Sequence, residues 1–274
     1  VPAWAGGQMS LSDLLTHHLR EEVARAGRGE LDTPELKALE PLFARQMDLS
    51  TLPESNQLLI ETCRTREGMH LYAYPFEGRF VHEGLGFLWA TRLTRVQRGT
   101  ITVSVNDYGF ELLAPRGYPM DQLLEEHLDA LLDDDALEND LEQALNLSEL
   151  CRRRFRSIAQ VSGLLVQGFP GQNKSTGQLQ ISGSLLWEVF NKHEPNNLLL
   201  RQARDEVLQE QLELPRLRSA LQRMRKGDTL HCPTPRPGPL AFPLLVERLN
   251  NRMTNESVQE RVERMMREAL NQEQ

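Results

Sequence analysis

Long apolar runs are missing from this sequence. No stretch of about 18 consecutive hydrophobic residues occurs, which excludes a membrane-crossing helix. Cysteine is scarce: Cys63, Cys151 and Cys232 are odd in number and far apart. They form neither a C-x-x-C pair nor a disulfide framework, a pattern that fits a reducing cytosol. The seven histidines include no H-E-x-x-H, and the adjacent His17 and His18 point to different sides of any helix that carries them, so no metal site is expected. No G-x-S-x-G turn surrounds Ser182 or Ser184, so neither reads as a nucleophile, and no catalytic residue is expected. The opening "VPAWAGGQMSL" lacks the basic and apolar regions of a signal peptide. Its first residue is Val rather than Met, as expected of a piece cut from a longer chain.

What is present is enough apolar material for a core and a segregated charge. The 274 residues are 39% hydrophobic and 26% charged, sufficient for one large domain or two small ones. The net charge of −8 argues at face value against nucleic acid. Residues 121–142, "DQLLEEHLDALLDDDALENDLE", hold ten acidic residues and no Lys or Arg, which leaves 31 basic against 29 acidic residues elsewhere. Residues 148–181 carry four Arg and one Lys against one Glu. Local patches therefore matter more than the total.

Periodicity predicts an α+β fold. "SLSDLLTHHLREEVARAGRG" reads as a helix capped by Ser10 or Ser12, and a second follows Thr33-Pro34 with Pro at the first helical position. "NQLLIETCRT" and "MHLYAYPF" read as strands joined by Arg66-Glu67-Gly68, and "TITVSVND" and "YGFELLAP" as a second pair around Asn106-Asp107. Between them "FVHEGLGFLWATRLTRVQRG" reads as a helix. The expectation is a small antiparallel, barrel-like β-rich module in 1–115, packed with a mainly helical module in 116–274, or one integrated domain; a short strand returns near 229–232. Leu200, Val207, Leu214 and Leu221 lie seven apart, more often the mark of a packed helix than of a coiled-coil arm. A terminal helix is expected from Asn255.

"GFPGQNKS", Gly168 to Ser175, matches the phosphate-cradling pattern G-x-x-x-x-G-K-[ST] except at Asn173. Such a loop needs a strand feeding a glycine-rich turn that opens into a helix. Here residues 147–166 read as a helix, and no later strand ends in an Asp for Mg²⁺, so the loop reading is rejected. On that helix Phe155, Ile158, Ser162 and Leu165 fall within about 40° of Cys151, whereas Arg152, Arg153 and Arg156 fall opposite. Two readings stand for these arginines: a solvated face answered by the acidic run, or a row of phosphate contacts continued by Lys174. Arg154, at the edge of the stripe, and Arg92, sharing a face with Leu85 and Leu88, are expected in partly buried or buried ion pairs. Phe169 and Trp187 could stack on bases, though the apolar density of "SLLWEVF" assigns Trp187 to a core.

The block "LCRRRFRSIAQVSGLLVQGFPGQNKSTGQLQISGSLLWEVFNKHEPNNLLLRQARDEVL" resembles the C-terminal region of the large helicase-related family of superfamily 2 DExH-box helicases, nearest in likeness to its ligase-associated branch. "WAGGQMSLSDLL" is similar to the start of the family's DEAD/H-associated region, departing from it at Gln8-Met9. "HEGLGFLWATRL" resembles its H-x-x-L-x-x-L-x-x-x-R helix, and "PGPLAFPLLVERL" its closing segment.

The resemblance implies an accessory domain, non-catalytic by itself, of an ATP-dependent 3′→5′ helicase that helps to enclose and track single-stranded DNA in DNA repair. It implies ATP and Mg²⁺ on motor domains outside this chain, and no cofactor within it. As partners it implies single-stranded DNA or an RNA–DNA hybrid, RecA-like and winged-helix domains of the same protein, and a DNA ligase and nuclease of the same repair system. The setting implied is the bacterial cytoplasm, at the nucleoid, with no membrane. It also adds weight to Arg152, Arg153, Arg156, Lys174 and Phe169 as nucleic-acid contacts. The rival is a scaffold that docks repair partners through acidic 121–142 and helical 198–226.

Overall fold

Short polar residues open the first two helices. Ser12 accepts a hydrogen bond from the Leu15 amide to cap α1 (Asp13–Gly27), and Thr33 accepts one from Leu36 to cap α2 (Pro34–Leu49), which has Pro in its first turn. The protein, seen here as a computed structural model, is described for the backbone of residues 11–144, 147–165, 168–169, 172–173 and 176–250. Its side chains are described within 11–141, 151–165, 181–209 and 212–248. The Gln8-Met9 segment, Lys174 and the helix expected from Asn255 lie outside the described residues. The chain divides into two units, residues 1–133 with 220–274, and residues 134–219.

In the first unit β1 (Leu58–Arg64) and β2 (Met69–Tyr74) make the expected hairpin, with Leu59 opposite Tyr74 and Arg64 opposite Met69. Its turn admits only glycine at Gly68, where a Cβ would lie 2.1 Å from the Ala114 carbonyl oxygen. After α3 (Arg79–Val96), β3 (Thr102–Val105) and β4 (Phe110–Ala114) form a second hairpin. There the Asn106 side-chain oxygen accepts from the amides of Tyr108 and Gly109, each at 2.9 Å, the Asn turn chemistry that its sequence promised. Then α4 (Met120–Leu131) leads out of the sheet region.

In the second unit lie α5 (Leu137–Ala144), α6 (Leu147–Val161), the two-residue strands β5 (Gly168–Phe169) and β6 (Gln172–Asn173), α7 (Thr176–His193), α8 (Leu198–Glu206) and a π turn at Val207–Gln211. Next, α9 (Leu214–Lys226) carries the chain back to β7 (Thr229–Pro233) and α10 (Phe242–Asn250).

The larger sheet runs in the order β3-β4-β2-β1-β7, with β7 parallel to β1 and the other pairings antiparallel. This corrects the barrel expectation. The sheet is mixed and open, and its edges β3 and β7 do not pair with each other. The reason lies in the burial of the central strands. All six residues of β2 and all five of β4 are buried, so both faces must be covered by helices and no enclosed interior is needed. On one face Leu59, Cys63, Tyr72 and Tyr74 pack with Val23 of α1, Phe43 of α2 and Leu244 of α10. On the other, Trp89 of α3 meets Phe110 edge-on with ring centroids 5.3 Å apart.

The H-x-x-L-x-x-L-x-x-x-R pattern is the buried face of α3. His82, Leu85 and Leu88 are fully buried and Arg92 nearly so. His82 Nδ1 lies 2.7 Å from the Asn106 carbonyl oxygen, while its Nε2 accepts from the Glu77 amide at 2.9 Å. Arg92 donates from Nη1 to the carbonyls of Ala130, Leu131 and Asp133 at 2.9, 2.9 and 2.7 Å. The guanidinium thereby satisfies carbonyls at and just beyond the end of α4, where cations are favoured.

A polar row crosses the α1/α2/α10 face. Glu61, Tyr72 and Glu111 stand opposite one another on β1, β2 and β4. Glu61 accepts from Gln46 Nε2 at 2.5 Å and from the Tyr74 hydroxyl at 2.9 Å. Glu111 accepts from His70 Nδ1 at 2.7 Å and from Arg248 Nε at 3.0 Å. Both carboxylates are fully buried, so these partners hold α2 and α10 to the sheet.

Candidate nucleic-acid interface

The α6 sequence "CRRRFRSIA" divides as its wheel requires. Cys151, Phe155, Ile158 and Ala159 are buried, and Phe155 is the hub of the second unit's core. Its ring meets Trp187 at 5.5 Å and Phe190 at 6.1 Å, both edge-on. Trp187 therefore packs, partly buried, against this core. Burial pushes the Cys151 thiol up to about 11, and Cys63 in the first unit up to about 12, through burial and then the nearby Glu111 and Glu61. Neither thiol is a nucleophile at neutral pH.

Arg152, Arg153 and Arg156 come together on one wall of a groove of about 630 Å³. The opposite wall is α7, which presents Ile181, Ser184, Leu185 and Glu188. Arg153 is exposed, and Arg152 and Arg156 are partly so. Arg156 lies against Gly183, where a Cβ would sit 3.1 Å from its Cγ and 3.4 Å from its Nε. A side chain at 183 would push the arginine stem aside. The Arg156 Nε is buried and, among the described residues, has no hydrogen-bond partner, so that atom retains donor capacity within the groove wall.

Arg154, one position out of phase, pairs with Glu206 of α8. The Glu206 carboxyl is held below its ordinary value, first by the Gln202 amide and also by Arg154. That is the partly buried ion pair expected for Arg154. The acidic run has partners of its own. Within the second unit Arg218 lies 3.6 Å from Asp134 and 3.5 Å from Glu138. Within the first, Arg225 lies 3.1 Å from Asp133 and Thr62 donates to Asp121 at 2.6 Å.

Residues 168–169 and 172–173 pair as an antiparallel ladder, Gly168 with Asn173 and Phe169 with Gln172. Gly168, Phe169, Gln172 and Asn173 thus lie in strands rather than in a turn that wraps a phosphate. Phe169 is placed by its backbone in β5, with its side chain outside the described residues, as Lys174 is altogether. Leu200, Val207, Leu214 and Leu221 are all buried, so the heptad row is core rather than docking surface.

Sequence reading had not singled out Gly183, Ile181, Leu185 or Glu188. A signal was there: Ile181, Leu185 and Val189 repeat every four residues, and all three are exposed. That stripe is distinct from the partly buried one through Trp187 and Phe190.

Known proteins are similar to this chain in sequence and in fold. The chain is 24% identical over 242 residues to the ATP-dependent helicase Lhr-Core protein 2 of Thermococcus barophilus, covering 83% of this chain and 28% of that protein. It is 23% identical over 255 residues to the ATP-dependent helicase Lhr-Core of Methanocaldococcus jannaschii, covering 90% of this chain and 30% of the other. It therefore spans less than a third of the length of these relatives. Its fold matches the Mycobacterium smegmatis helicase Lhr, solved with single-stranded DNA and AMP-PNP, at a TM-score of 0.69 and 21% identity; the match covers 89% of this chain and 33% of that one. The DEAD/H-associated profile matches residues 52–241, most of the chain, and with the sequence and fold likenesses it establishes that this chain belongs to the DEAD/H-associated family.

Proposed function

We propose that this chain is the part of an Lhr-type ATP-dependent helicase that lines the path of a single nucleic-acid strand and does no chemistry itself. The observation that carries this reading is the convergence of Arg152, Arg153 and Arg156 in one groove. A row of guanidinium groups suits phosphate oxygens, which it can grip without reading bases. Support comes from the helicase names of the relatives and from the strand held by the structurally similar Lhr.

In this reading Lys174 and Phe169 are further contacts to the strand. ATP and Mg²⁺ act on RecA-like motor domains, which with a winged helix are the covalent partners of this region. The ligase-associated placement rests on the likeness of residues 150–208 alone. So do its consequences: a role in DNA repair, action on RNA–DNA hybrids, a DNA ligase and nuclease as further partners, and a bacterial, nucleoid-associated setting. Among the described residues no helix is long and apolar enough to cross a membrane.

The test is charge reversal. The full chain carrying R152E/R153E/R156E is expected to lose affinity for a single-stranded oligonucleotide while its circular dichroism stays unchanged. Unchanged affinity with an intact fold would refute the assignment.

A further inference from the structure

The groove has two unlike walls, and only the basic one is explained by phosphate contact. Ile181 and Leu185 are 72% and 61% exposed, and Val189, one turn on, is 44% exposed. Branched aliphatic side chains left in water along one helix face, across from three guanidinium groups, require an occupant of matching character. It must be anionic along one edge and apolar along the other.

An unpaired nucleic-acid strand has that character at every nucleotide, because its phosphates line one edge and its bases are open to contact. A duplex does not, because its base faces are stacked away. Resting on the strand reading above, we infer that α7 supplies the wall on which bases lie, through Ile181 and Leu185, while the α6 arginines take the phosphates; the groove thereby selects unpaired over paired strands.

Three details agree. Trp187 and Phe190, the aromatics of α7, are turned into the core against Phe155, so the wall is aliphatic and contacts bases without a preferred stacking geometry. Among the described residues Ser184 is the one hydroxyl in the groove lining, a neutral group of little discriminating power between bases. Gly183 lets Arg156 lie close along α7, the helix that carries the apolar wall. Glu188 adds a carboxylate to the same wall, which repels phosphate and leaves the arginine wall as the place for the backbone.

The experiment separates bases from phosphates. Fluorescence anisotropy of the full chain is measured with an oligothymidylate of about 12 nucleotides, within the site sizes usual for single-strand binders. The same is done with an abasic strand of equal length and charge, and with a duplex. Wild type is expected to favour oligothymidylate over the abasic strand and the duplex by on the order of tenfold, as burying part of two aliphatic side chains would give. The I181S/L185S variant should lose that preference while keeping the abasic affinity and the salt dependence of wild type. Because both residues are exposed, its denaturation midpoint should not move.

Equal wild-type affinity for the two strands, a duplex bound as tightly as oligothymidylate, or a preference that survives I181S/L185S would overturn the inference and leave the arginine reading standing. Loss of the salt dependence in R152Q/R153Q/R156Q confirms that arginine reading separately. Binding to neither strand would refute both. Capture instead of an acidic amphipathic peptide, lost in I181S/L185S, would assign the groove to a protein partner and overturn the inference.

Discussion

Replacing Arg152, Arg153 and Arg156 by glutamine removes three charges from one groove wall and keeps polar side chains of moderate length. Each phosphate neutralised on a single strand contributes about 0.7 to the slope of log affinity against log salt. Three contacts therefore contribute a slope of about 2. Between roughly 50 and 200 mM salt the wild-type chain should lose on the order of 20-fold more affinity than the variant. Arg153 is exposed and the other two are partly so, and substitutions at such positions usually change stability by about 0.5 kcal/mol or less. The loss should thus be one of binding and not of folding. The assay is an anisotropy titration at four or more salt concentrations, with urea denaturation of both proteins alongside. Parallel salt slopes for wild type and variant, at equal stability, would show that these guanidinium groups do not meet phosphates.

Two further outcomes concern the scaffold. R248M leaves the fully buried Glu111 carboxylate without its guanidinium partner, so it should cost about 3–5 kcal/mol in urea denaturation, and E111Q/R248M should recover a large part of that; an R248M loss below about 0.5 kcal/mol would contradict a structural role. Glu206 is held below its ordinary 4.5 by Gln202 and then Arg154. Its contribution to stability is therefore present above that value and lost as pH falls through the lower folded one. By side-chain NMR titration Q202A and R154A should each raise the Glu206 midpoint, and a midpoint unmoved by either would contradict the assigned cause.

Much of the local structure was legible. Ser12 and Thr33 announced their helices, Gly68 and Asn106 their turns, and the α6 wheel separated Phe155 and Ile158 from Arg152, Arg153 and Arg156. These features depend on residues a few positions apart, and the forces that fix them act over that same range. Arg92 was harder. Its face and burial followed from spacing, but it also bonds carbonyls 38 to 41 residues away, and nothing in a periodic pattern points to the end of another helix. The α7 wall was missed for a different reason. Trp187 and Phe190 dominate "SLLWEVF" and point to a core, so the weaker stripe of Ile181, Leu185 and Val189 passes as part of the same apolar segment.

By itself the sequence determined the strands of the larger sheet and the helices before them, though not α10, where the two hairpins turn, and that three arginines share the polar face of one helix. It also carried the family likeness. Tertiary structure alone decided that the sheet stays open, because closure depends on whether β3 and β7 meet, and a sheet covered by helices on both faces has nothing to gain from their pairing. Tertiary structure likewise brought α7 beside the arginines of α6. Side-chain periodicity records how much of a helix is buried but carries no address for the element that buries it, and the groove exists only where two such faces, about thirty residues apart in the chain, are held side by side.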